Sequence, residues 1–313
     1  MKKKKRTLRD KFRDNRALLV MLLPGFIWLV IFSYLPMFGI VIAFKDFRIT
    51  PDGFFASLFR SEWVGLENFK YLFASQDAWI ITRNTISYNV VGILLSTFFT
   101  VSLAIILSQI ANKKMIKRLQ TFMIFPNFLS WVVISYFVFT FLSSDKGLFN
   151  QWIVAFGGEP INWYNTAKYW PFILVFTSLW KGVGYGSIIY YASIMGIDPT
   201  YYEAALVDGA SKWQQIRNVI LPHLRSIVVI MLILSVGNIF RADFGLFYQL
   251  PRNSGALYDV TNVLDTYVYR SLMNTGDVGM STAAGLFQST VGFVLILITN
   301  KIVNKLDPSS ALF

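Results

Sequence analysis

The sequence of 313 residues contains no cysteine and one histidine, and only 15% of its residues are charged. The absence of cysteine excludes a disulfide framework and thiolate chemistry. Soluble domains have about 25% charged residues, so a chain with 55% hydrophobic residues is too apolar for a water-facing globule. Because the apolar residues occur in long blocks, composition places the chain among membrane proteins.

Uncharged blocks of membrane-spanning length predict six transmembrane helices. Four blocks are uncharged, a fifth holds only Lys181, and the block at 226–240 has just 15 uncharged residues between Arg225 and Arg241. A span needs roughly 20 residues, so we expect this helix to continue past its arginines or to be broken. Spans in lipid must be helical, which predicts an all-α polytopic fold. The blocks are 17–44, 84–112, 119–144, 169–197, 226–240 and 278–300.

The distribution of lysine and arginine predicts that both termini are cytoplasmic. With the N-terminus inside, the inside loops hold 18 basic and 6 acidic residues, and the outside loops hold 10 basic and 11 acidic residues. This asymmetry follows the positive-inside rule. The basic arm at 1–16 is therefore interpreted as a topology signal near anionic lipid, not as a nucleic-acid-binding arm. Its following apolar stretch is about twice the length of a signal-peptide core, which favours a retained helix.

These patterns predict an order of segments along the chain. The segments are a basic cytoplasmic arm (1–16), a first transmembrane helix (17–44), an extracytoplasmic aromatic-rich loop (45–83), a core with five spans (84–305) that contains a cytoplasmic loop (196–222), and a C-terminal tail (306–313).

The cytoplasmic loop between the fourth and fifth spans is small and polar. Asp198 before a proline indicates the start of a helix, and Gly209 indicates its end. Ser211 and Gln214 form a capping-box pattern, which predicts a second helix. Pro222 either ends that helix or starts the next element. The loop is thus expected to form two short helices at an angle along the inner membrane surface.

The first of these helices has the composition of a docking surface. Ala204 and Ala205 are small enough to let another backbone approach, and Glu203 and Asp208 offer carboxylates to basic side chains of a partner. From the residues alone, an amphipathic helix pair that only tethers two spans remains an alternative.

The segment 203–205, with Gly209 and residues 219–222, resembles the cytoplasmic signature of binding-protein-dependent ABC importer permeases. The family pattern is E-A-A, three residues, G, nine residues, then I-x-L-P, and Val219 stands here in place of the usual isoleucine. The resemblance covers roughly residues 80–305. The flanks at 180–182 and 197–199 are similar to the sugar-transporting branch.

Residues 23–25 and 34–36, which read LPG and YLP, resemble permeases for oligosaccharides or polysaccharide fragments. The resemblance implies a bundle like that of a type I ABC importer permease in a bacterial cytoplasmic membrane, with the loop acting as the coupling helix. The residues that the family pattern assigns to ATPase coupling are Glu203, Ala204, Ala205, Asp208 and Gly209, with Leu221 and Pro222 returning the chain to the membrane.

The resemblance also implies partners. These are a second homologous permease, two cytoplasmic ATPase subunits carrying ATP and Mg²⁺, an extracellular or periplasmic solute-binding protein, membrane lipid and a carbohydrate substrate. The chain has no G-x-x-x-x-G-K-[ST] phosphate loop, so we expect a transport subunit that is not itself an enzyme and binds no cofactor or metal.

Sugars are commonly held by aromatic faces together with amide and hydroxyl groups, and several such residues lie near the estimated midplane of the spans. Packing or interfacial anchoring is the alternative for each. A lipid-facing lysine at the depth of Lys181 would cost roughly 2.5–3.5 kcal/mol, so it is expected either to line the path or to pair with a carboxylate or helix-end carbonyls. The substrate-path candidates are Trp131, Tyr136, Lys181, Tyr185, Asn238 and Phe240.

The glycines at 182, 184 and 186 form a GxGxG run without a preceding strand, which indicates close helix packing or local unwinding along a path more than a nucleotide site. His223 has no neighbours in sequence for metal or acid–base chemistry.

Other functions remain as alternatives. The signature loop is shared by importers of phosphate, amino acids and peptides. An ATPase-independent secondary transporter would need midplane carboxylates, and the six predicted spans contain no Asp or Glu. A membrane-bound enzyme would need clustered His, Cys or acidic residues at one face.

Overall fold

The computed structural model describes residues 15–74 and 77–312. Within these ranges the secondary structure is helical, apart from one isolated bridge between Lys45 and Trp63. The predicted all-α fold is therefore confirmed. Most of the basic arm predicted at 1–16 lies outside the described residues, as does the last residue of the tail.

The α-helices of the described ranges are α1 (Arg16–Leu29), α2 (Phe54–Arg60), α3 (Glu67–Ala74), α4 (Ala78–Ser108), α5 (Lys113–Phe128), α6 (Trp131–Leu142), α7 (Leu148–Ala155), α8 (Trp170–Met195), α9 (Pro199–Val207), α10 (Lys212–Gln215), α11 (Leu221–Gly237), α12 (Phe244–Gln249), α13 (Tyr258–Thr261), α14 (Leu264–Thr275) and α15 (Val278–Leu306). A π-helical turn (Val30–Tyr34) and a 3₁₀ segment (Leu35–Phe44) extend α1, and a second π-helical turn (Ile216–Ile220) joins α10 to α11.

Five helical segments of the described chain are long and apolar enough to cross a membrane, and α5 with α6 forms a sixth span if the pair is counted as one. Counted in that way, the described chain has as many candidate spans as the six that the sequence predicts. The five unbroken segments are Arg16–Phe44, Ala78–Ser108, Ala167–Met195, Lys212–Gly237 and Val278–Leu306.

The third span, predicted at 119–144, is broken, and α5 and α6 meet at a bend of 96°. Pro126 lies in the last turn of α5, where it supplies no N–H. Ser130 then begins α6 by accepting a hydrogen bond from the N–H of Val133 at 3.3 Å. A proline near one helix end and a new N-cap four residues later explain the break.

Lys181 of α8 holds this bend together. Its Nζ donates to the carbonyl oxygens of Asn127 at 2.8 Å and Leu129 at 2.7 Å, and lies 3.4 Å from that of Pro126. The ammonium also sits 5.3 Å from the centre of the Trp131 ring. Helix-end carbonyls in the membrane have no water to bond, so the lysine satisfies the groups that the bend exposes.

The fifth span continues past one of its flanking arginines, as one of the two expectations for it stated. The helical segment runs from Lys212 through Arg225 and ends at Gly237, before Arg241. The second helix expected in the loop is present as α10, but it is not separate from the span, because the π-helical turn joins it to α11. Pro222 does not stop it, since the proline lies in the first turn of α11, directly after the π-helical turn.

The described part of the chain divides into two compact units, residues 15–72 with 275–286 and residues 73–74 and 77–274 with 287–312. In the first unit, buried Lys45 donates from Nζ to the carbonyl oxygens of Leu58 at 2.7 Å and Ser61 at 3.2 Å. The described part of the loop predicted at 45–83 thus contains helices as well as this buried lysine. In the second unit, two buried clusters centre on Trp170 and on Tyr190.

Replacing Lys181 by methionine is expected to destabilise the fold. The side chain keeps its length but leaves two or three helix-end carbonyls without a donor, which costs about 2 kcal/mol or more. The measurement is the thermal unfolding midpoint of the purified protein in detergent, which should fall by several degrees. Lys168→Met is the control, because Lys168 contacts only the Tyr169 ring, at 5.9 Å, among the interactions of its side chain in the described ranges. Equal unfolding midpoints for the two variants would contradict the role of Lys181 in stabilising the bend between α5 and α6.

Candidate functional site

The first helix of the loop, α9, starts where the sequence predicts. Asp198 is its N-cap, and its Oδ1 accepts hydrogen bonds from the Thr200 N–H and the Thr200 hydroxyl, both at 2.9 Å. These hydrogen bonds lower the pKa of Asp198 below its ordinary value. As an N-cap, the carboxylate holds the first turn of α9 closed.

The end of α9 is equally well defined. Gly209 adopts φ +73°, in the left-handed region that glycine favours. Its N–H donates to the Leu206 carbonyl at 3.1 Å, and the N–H of Ala210 donates to the Ala205 carbonyl at 2.8 Å. This pair of bonds is a Schellman motif, which satisfies the last carbonyls of the helix. The predicted stop at Gly209 is confirmed.

The next helix begins with the predicted capping box. The N–H of Ser211 donates to Gln214 Oε1 at 2.7 Å, and the N–H of Gln214 donates to Ser211 Oγ at 3.4 Å. Buried Gln215 adds a bond from its Nε2 to the Ala210 carbonyl at 3.2 Å. The connection between α9 and α10 is thus fixed by backbone and side-chain bonds on both sides.

One face of α9 is bare. Glu203, Ala204 and Asp208 are exposed, as are Leu206 and, at 88%, Val207. In the described part of the chain, neither carboxylate pairs with a basic side chain or accepts a hydrogen bond. We refer to residues 203–209 as the α9 surface, which combines two unpaired negative charges with small and apolar side chains.

The opposite face of α9 is anchored to the spans. Half-buried Tyr202 packs against a cluster that contains Ala104 of α4, Tyr190 and Ile194 of α8, and Leu224 of α11. Burial raises the pKa of Tyr202 above its ordinary value. One side chain of α9 therefore contacts a core to which three membrane-spanning helices contribute.

A second contact ties α9 to the start of the fifth span. The ring of Tyr201 packs edge-on against His223, with centroids 5.0 Å apart. His223 Nδ1 donates to the Val219 carbonyl at 2.7 Å, which fixes the imidazole. The exposed histidine thus has a packing contact, and within the described residues no group of three or more His, Cys, Asp or Glu side chains is arranged to hold a metal ion.

The C-terminal tail also contacts this region, which the sequence did not indicate. Arg225 pairs with Asp307 at 3.5 Å, and the hydroxyls of Ser226 and buried Ser310 are 2.9 Å apart. Hydrogen bonds from Ser309 and Ser310 lower the pKa of Asp307. The tail therefore braces the first turns of α11, next to the loop that carries α9.

A cavity of about 560 Å³ lies among α4, α8, α11 and the segment that follows α11. Its size falls in the range of small-molecule sites. The polar part of the lining consists of amide groups, hydroxyl groups, one basic side chain and one acidic side chain. The polar residues are Tyr88, Asn89, Ser96, Thr97, Thr100, Ser178, Tyr190, Ser235, Asn238, Arg241 and Asp243.

Of the substrate-path candidates, Asn238 lies in the lining of this cavity, and the other five do not. Trp131 donates from Nε1 to Asp243 Oδ2 at 2.8 Å, and Lys181 bonds the carbonyls of the bend. Phe240 packs edge-on against Phe287, with centroids 5.7 Å apart. The remaining two side chains are exposed, at 62% for Tyr136 and 53% for Tyr185.

Several cavity residues were missed in the sequence. Asn89, Ser96, Thr97 and Thr100 line the cavity from α4. Their spacing of seven and then three or four residues places them on one face of a helix, within an otherwise apolar span. A polar stripe of this kind in an apolar span is the sequence feature that predicts the lining of a cavity. Arg241 marks the end of an uncharged block in the sequence, and its backbone carbonyl accepts a hydrogen bond from Asn89 Nδ2 at 3.1 Å.

The glycine run in α8 serves close packing, as one of the two interpretations predicts. A side chain at Gly184 would overlap the backbone of Met123 in α5, and one at Gly186 would press on Thr100 of α4. Local unwinding is not observed, because α8 is continuous from Trp170 to Met195. A side chain added at Gly182 would meet no atom within 4 Å, and Gly182 lines the cavity.

Comparison with known families supplies an independent identification. Residues 100–308 match the profile of the family described as binding-protein-dependent transport system inner membrane component. The matched range includes α9, the turn at Gly209 and all of α11.

Curated relatives match over nearly the whole chain. The polygalacturonan/rhamnogalacturonan transport system permease protein YteP of Bacillus subtilis (strain 168) is 35% identical over 97% of this chain and 92% of its own length. Protein LplB of the same organism is 34% identical over 94% of this chain and 91% of its own length. Such similarity over full length indicates a shared architecture.

A solved structure has the same fold. A chain of the crystal structure of a bacterial alginate ABC transporter, in complex with an alginate pentasaccharide-bound periplasmic protein, is 29% identical to this chain with a TM-score of 0.83. The similarity covers 96% of this chain and 98% of that chain.

Replacing Gly209 by alanine is expected to loosen the end of α9. The new Cβ would meet no atom within 4 Å, so the whole cost comes from holding a non-glycine residue at positive φ, about 1 kcal/mol. Hydrogen exchange at the amides of residues 209 and 210 should accelerate about fivefold.

Gly196→Ala is the matched control in the same loop, because Gly196 has φ −87° and ordinary contacts around the added methyl group. This variant should leave the two exchange rates unchanged. Equal rates in the Gly209 variant and the unmodified protein would show that the left-handed turn does not hold the helix end.

Proposed function

The chain belongs to the family of binding-protein-dependent transport system inner membrane components, and we propose that it is coupled through the α9 surface to a separate cytoplasmic ATPase that drives import of an oligosaccharide. It is a multi-pass permease subunit. The observation that carries the proposal is the construction of α9, which presents an unpaired acidic face on one side and anchors Tyr202 among three spans on the other.

Docking uses the chemistry of the α9 surface. Glu203 and Asp208 are free to pair with lysine or arginine in a cleft of the ATPase, and charged pairs of this kind set orientation as well as affinity. Ala204 has no bulk to hold the partner backbone away. The exposed side chains of Leu206 and Val207 supply the apolar contact that would be buried on docking.

Coupling follows from the anchoring of the same helix. When two ATPase subunits close around ATP and Mg²⁺, a force on α9 is delivered through Tyr202 to the cluster that joins α4, α8 and α11. The caps at Asp198 and Gly209 keep α9 from unravelling under that force. Leu221 and Pro222 continue the chain directly into the fifth span, so a displacement of the loop also moves α11.

The transported solute is proposed to be an oligosaccharide, and fragments of acidic polysaccharides are the first substrates to test. The named transport substrate of YteP is polygalacturonan/rhamnogalacturonan, and the structural neighbour belongs to an alginate transporter. The cavity offers hydroxyl and amide groups suited to sugar hydroxyls, with Arg241 as a partner for a carboxylate. Asn89 and Asn238 lie in the same lining.

The proposed assembly contains a second permease, two ATPase subunits and an external solute-binding protein that delivers the sugar. The family description includes dependence on a binding protein, and the structural neighbour is in complex with a sugar-loaded periplasmic protein. ATP is hydrolysed on the partner subunits, and this chain performs no chemistry on its substrate.

The test of docking uses the complete transporter in proteoliposomes. Glu203→Lys is expected to reduce ATP-dependent uptake of labelled oligosaccharide by about tenfold or more, because reversing one charge of the α9 surface replaces attraction by repulsion. The same variant should co-purify with less ATPase. Glu159→Lys is the control, with the same charge change on an exposed loop between the third and fourth spans, and it should retain both properties.

Full uptake in the Glu203 variant would contradict docking at α9. Transport by the isolated chain in liposomes without ATP would contradict the whole proposal. Offering phosphate, amino acids and peptides alongside oligosaccharides in the same assay separates the choice of solute from the mode of coupling.

A further inference from the structure

The first turns of α5 carry an unpaired basic face. Lys114, Lys117 and Arg118 are exposed and stand at spacings of three and four residues, so their side chains share one side of the helix. In the part of the chain that the structure describes, none of these three side chains has an acidic or hydrogen-bonding partner. The surrounding segment 111–121 contains no acidic residue.

The same side of α5 becomes aromatic one turn further on. Phe122 is 81% exposed and Phe125 is 60% exposed. With a rise of about 1.5 Å per residue, these rings begin about 6 Å beyond Arg118 along the helix axis. The basic and aromatic residues line one cavity of about 550 Å³, together with Thr121.

This arrangement has the polarity of a phospholipid. α5 is the first half of the bent third span, so its basic turns lie at the level of the headgroups and its phenyl rings at the level of the acyl chains. Clustered lysine and arginine beside a span attract anionic lipid. The hydroxyl of Thr121 lies between the two zones.

We propose that this cavity binds one anionic phospholipid, with Lys117 and Arg118 holding the phosphate and the Phe122 and Phe125 rings contacting an acyl chain. A free phosphate ion would use only the basic part of the cavity. An acidic protein surface would leave the two phenyl rings in contact with water. The phospholipid is the occupant that matches both halves of the site.

Binding at this position would also stabilise the bent span. α5 ends at the carbonyls that Lys181 holds, so a lipid ordered along α5 constrains the helix on the opposite side of that bend. A ligand that binds only the folded state raises the unfolding midpoint. The site thus has a stability readout that does not depend on transport activity.

The experiment measures lipid binding to the purified full chain by native mass spectrometry. Wild-type protein and the double variant Lys117→Gln/Arg118→Gln are titrated with phosphatidylglycerol and with phosphatidylcholine. Removing two charges is expected to weaken phosphatidylglycerol binding by about tenfold or more. The control double variant is Lys301→Gln/Lys305→Gln, which removes the same charge from exposed positions at the end of α15, and its binding should stay within twofold of wild type.

Two further measurements distinguish binding of a phospholipid from binding of a free phosphate ion. Millimolar inorganic phosphate should fail to displace phosphatidylglycerol, and phosphatidylglycerol should raise the unfolding midpoint of the wild type more than phosphatidylcholine does. Equal loss of binding in both double variants, equal binding of the two lipids by the wild type, or displacement by inorganic phosphate would each overturn the proposal. The wild-type comparisons decide the matter even if the α5 variant fails to fold.

Discussion

The structure depends on one packing arrangement: a short surface helix is anchored to three membrane spans while its outer face stays exposed. In α9 this is achieved by Tyr202, which enters a cluster built from α4, α8 and α11. The helix is too short to be stable alone. Its caps at Asp198 and Gly209 hold its ends, and packing of Tyr202 holds its position. The exposed carboxylates and small residues are then left free for a partner.

Within the membrane a related constraint applies to the backbone. The 96° bend between α5 and α6 exposes helix-end carbonyls, and Lys181 satisfies them from the neighbouring span. Lys181 therefore satisfies exposed backbone groups at a helix end within the membrane, as Asp198 and the Ser211 capping box do at helix starts in the loop. Close approach of α8 to α5 is made possible by Gly184, which leaves room for the Met123 backbone. The hydrogen bonds from Lys181 to the helix-end carbonyls, and the lack of a side chain at Gly184, together hold the third span in place.

Local features could be predicted from the sequence because their causes are local. The span count, the helix start at Asp198, the stop at Gly209 and the capping box depend on residues a few positions apart. The hydrogen bonds that satisfy the bend come from a lysine more than 50 residues from the carbonyls that accept them, and the contact between Ser226 and Ser310 joins residues 84 positions apart. The cavity is set by the mutual rotation of three helices. This explains why Asn238 was found from its depth in the membrane, whereas the lining from α4 was not.

The most direct measurement is the coupling ratio of the assembled transporter carrying Tyr202→Ala. In proteoliposomes, sugar uptake and ATP hydrolysis are measured together. If α9 transmits force through Tyr202, the ATPase should still bind and hydrolyse ATP, because the outer face of the helix is unchanged. Sugar imported per ATP hydrolysed should fall by about tenfold, since truncating the tyrosine removes the packing contact that joins α9 to the three spans. If the amount of sugar imported per ATP hydrolysed is unchanged, the movement of the ATPase subunits reaches the spans by another route.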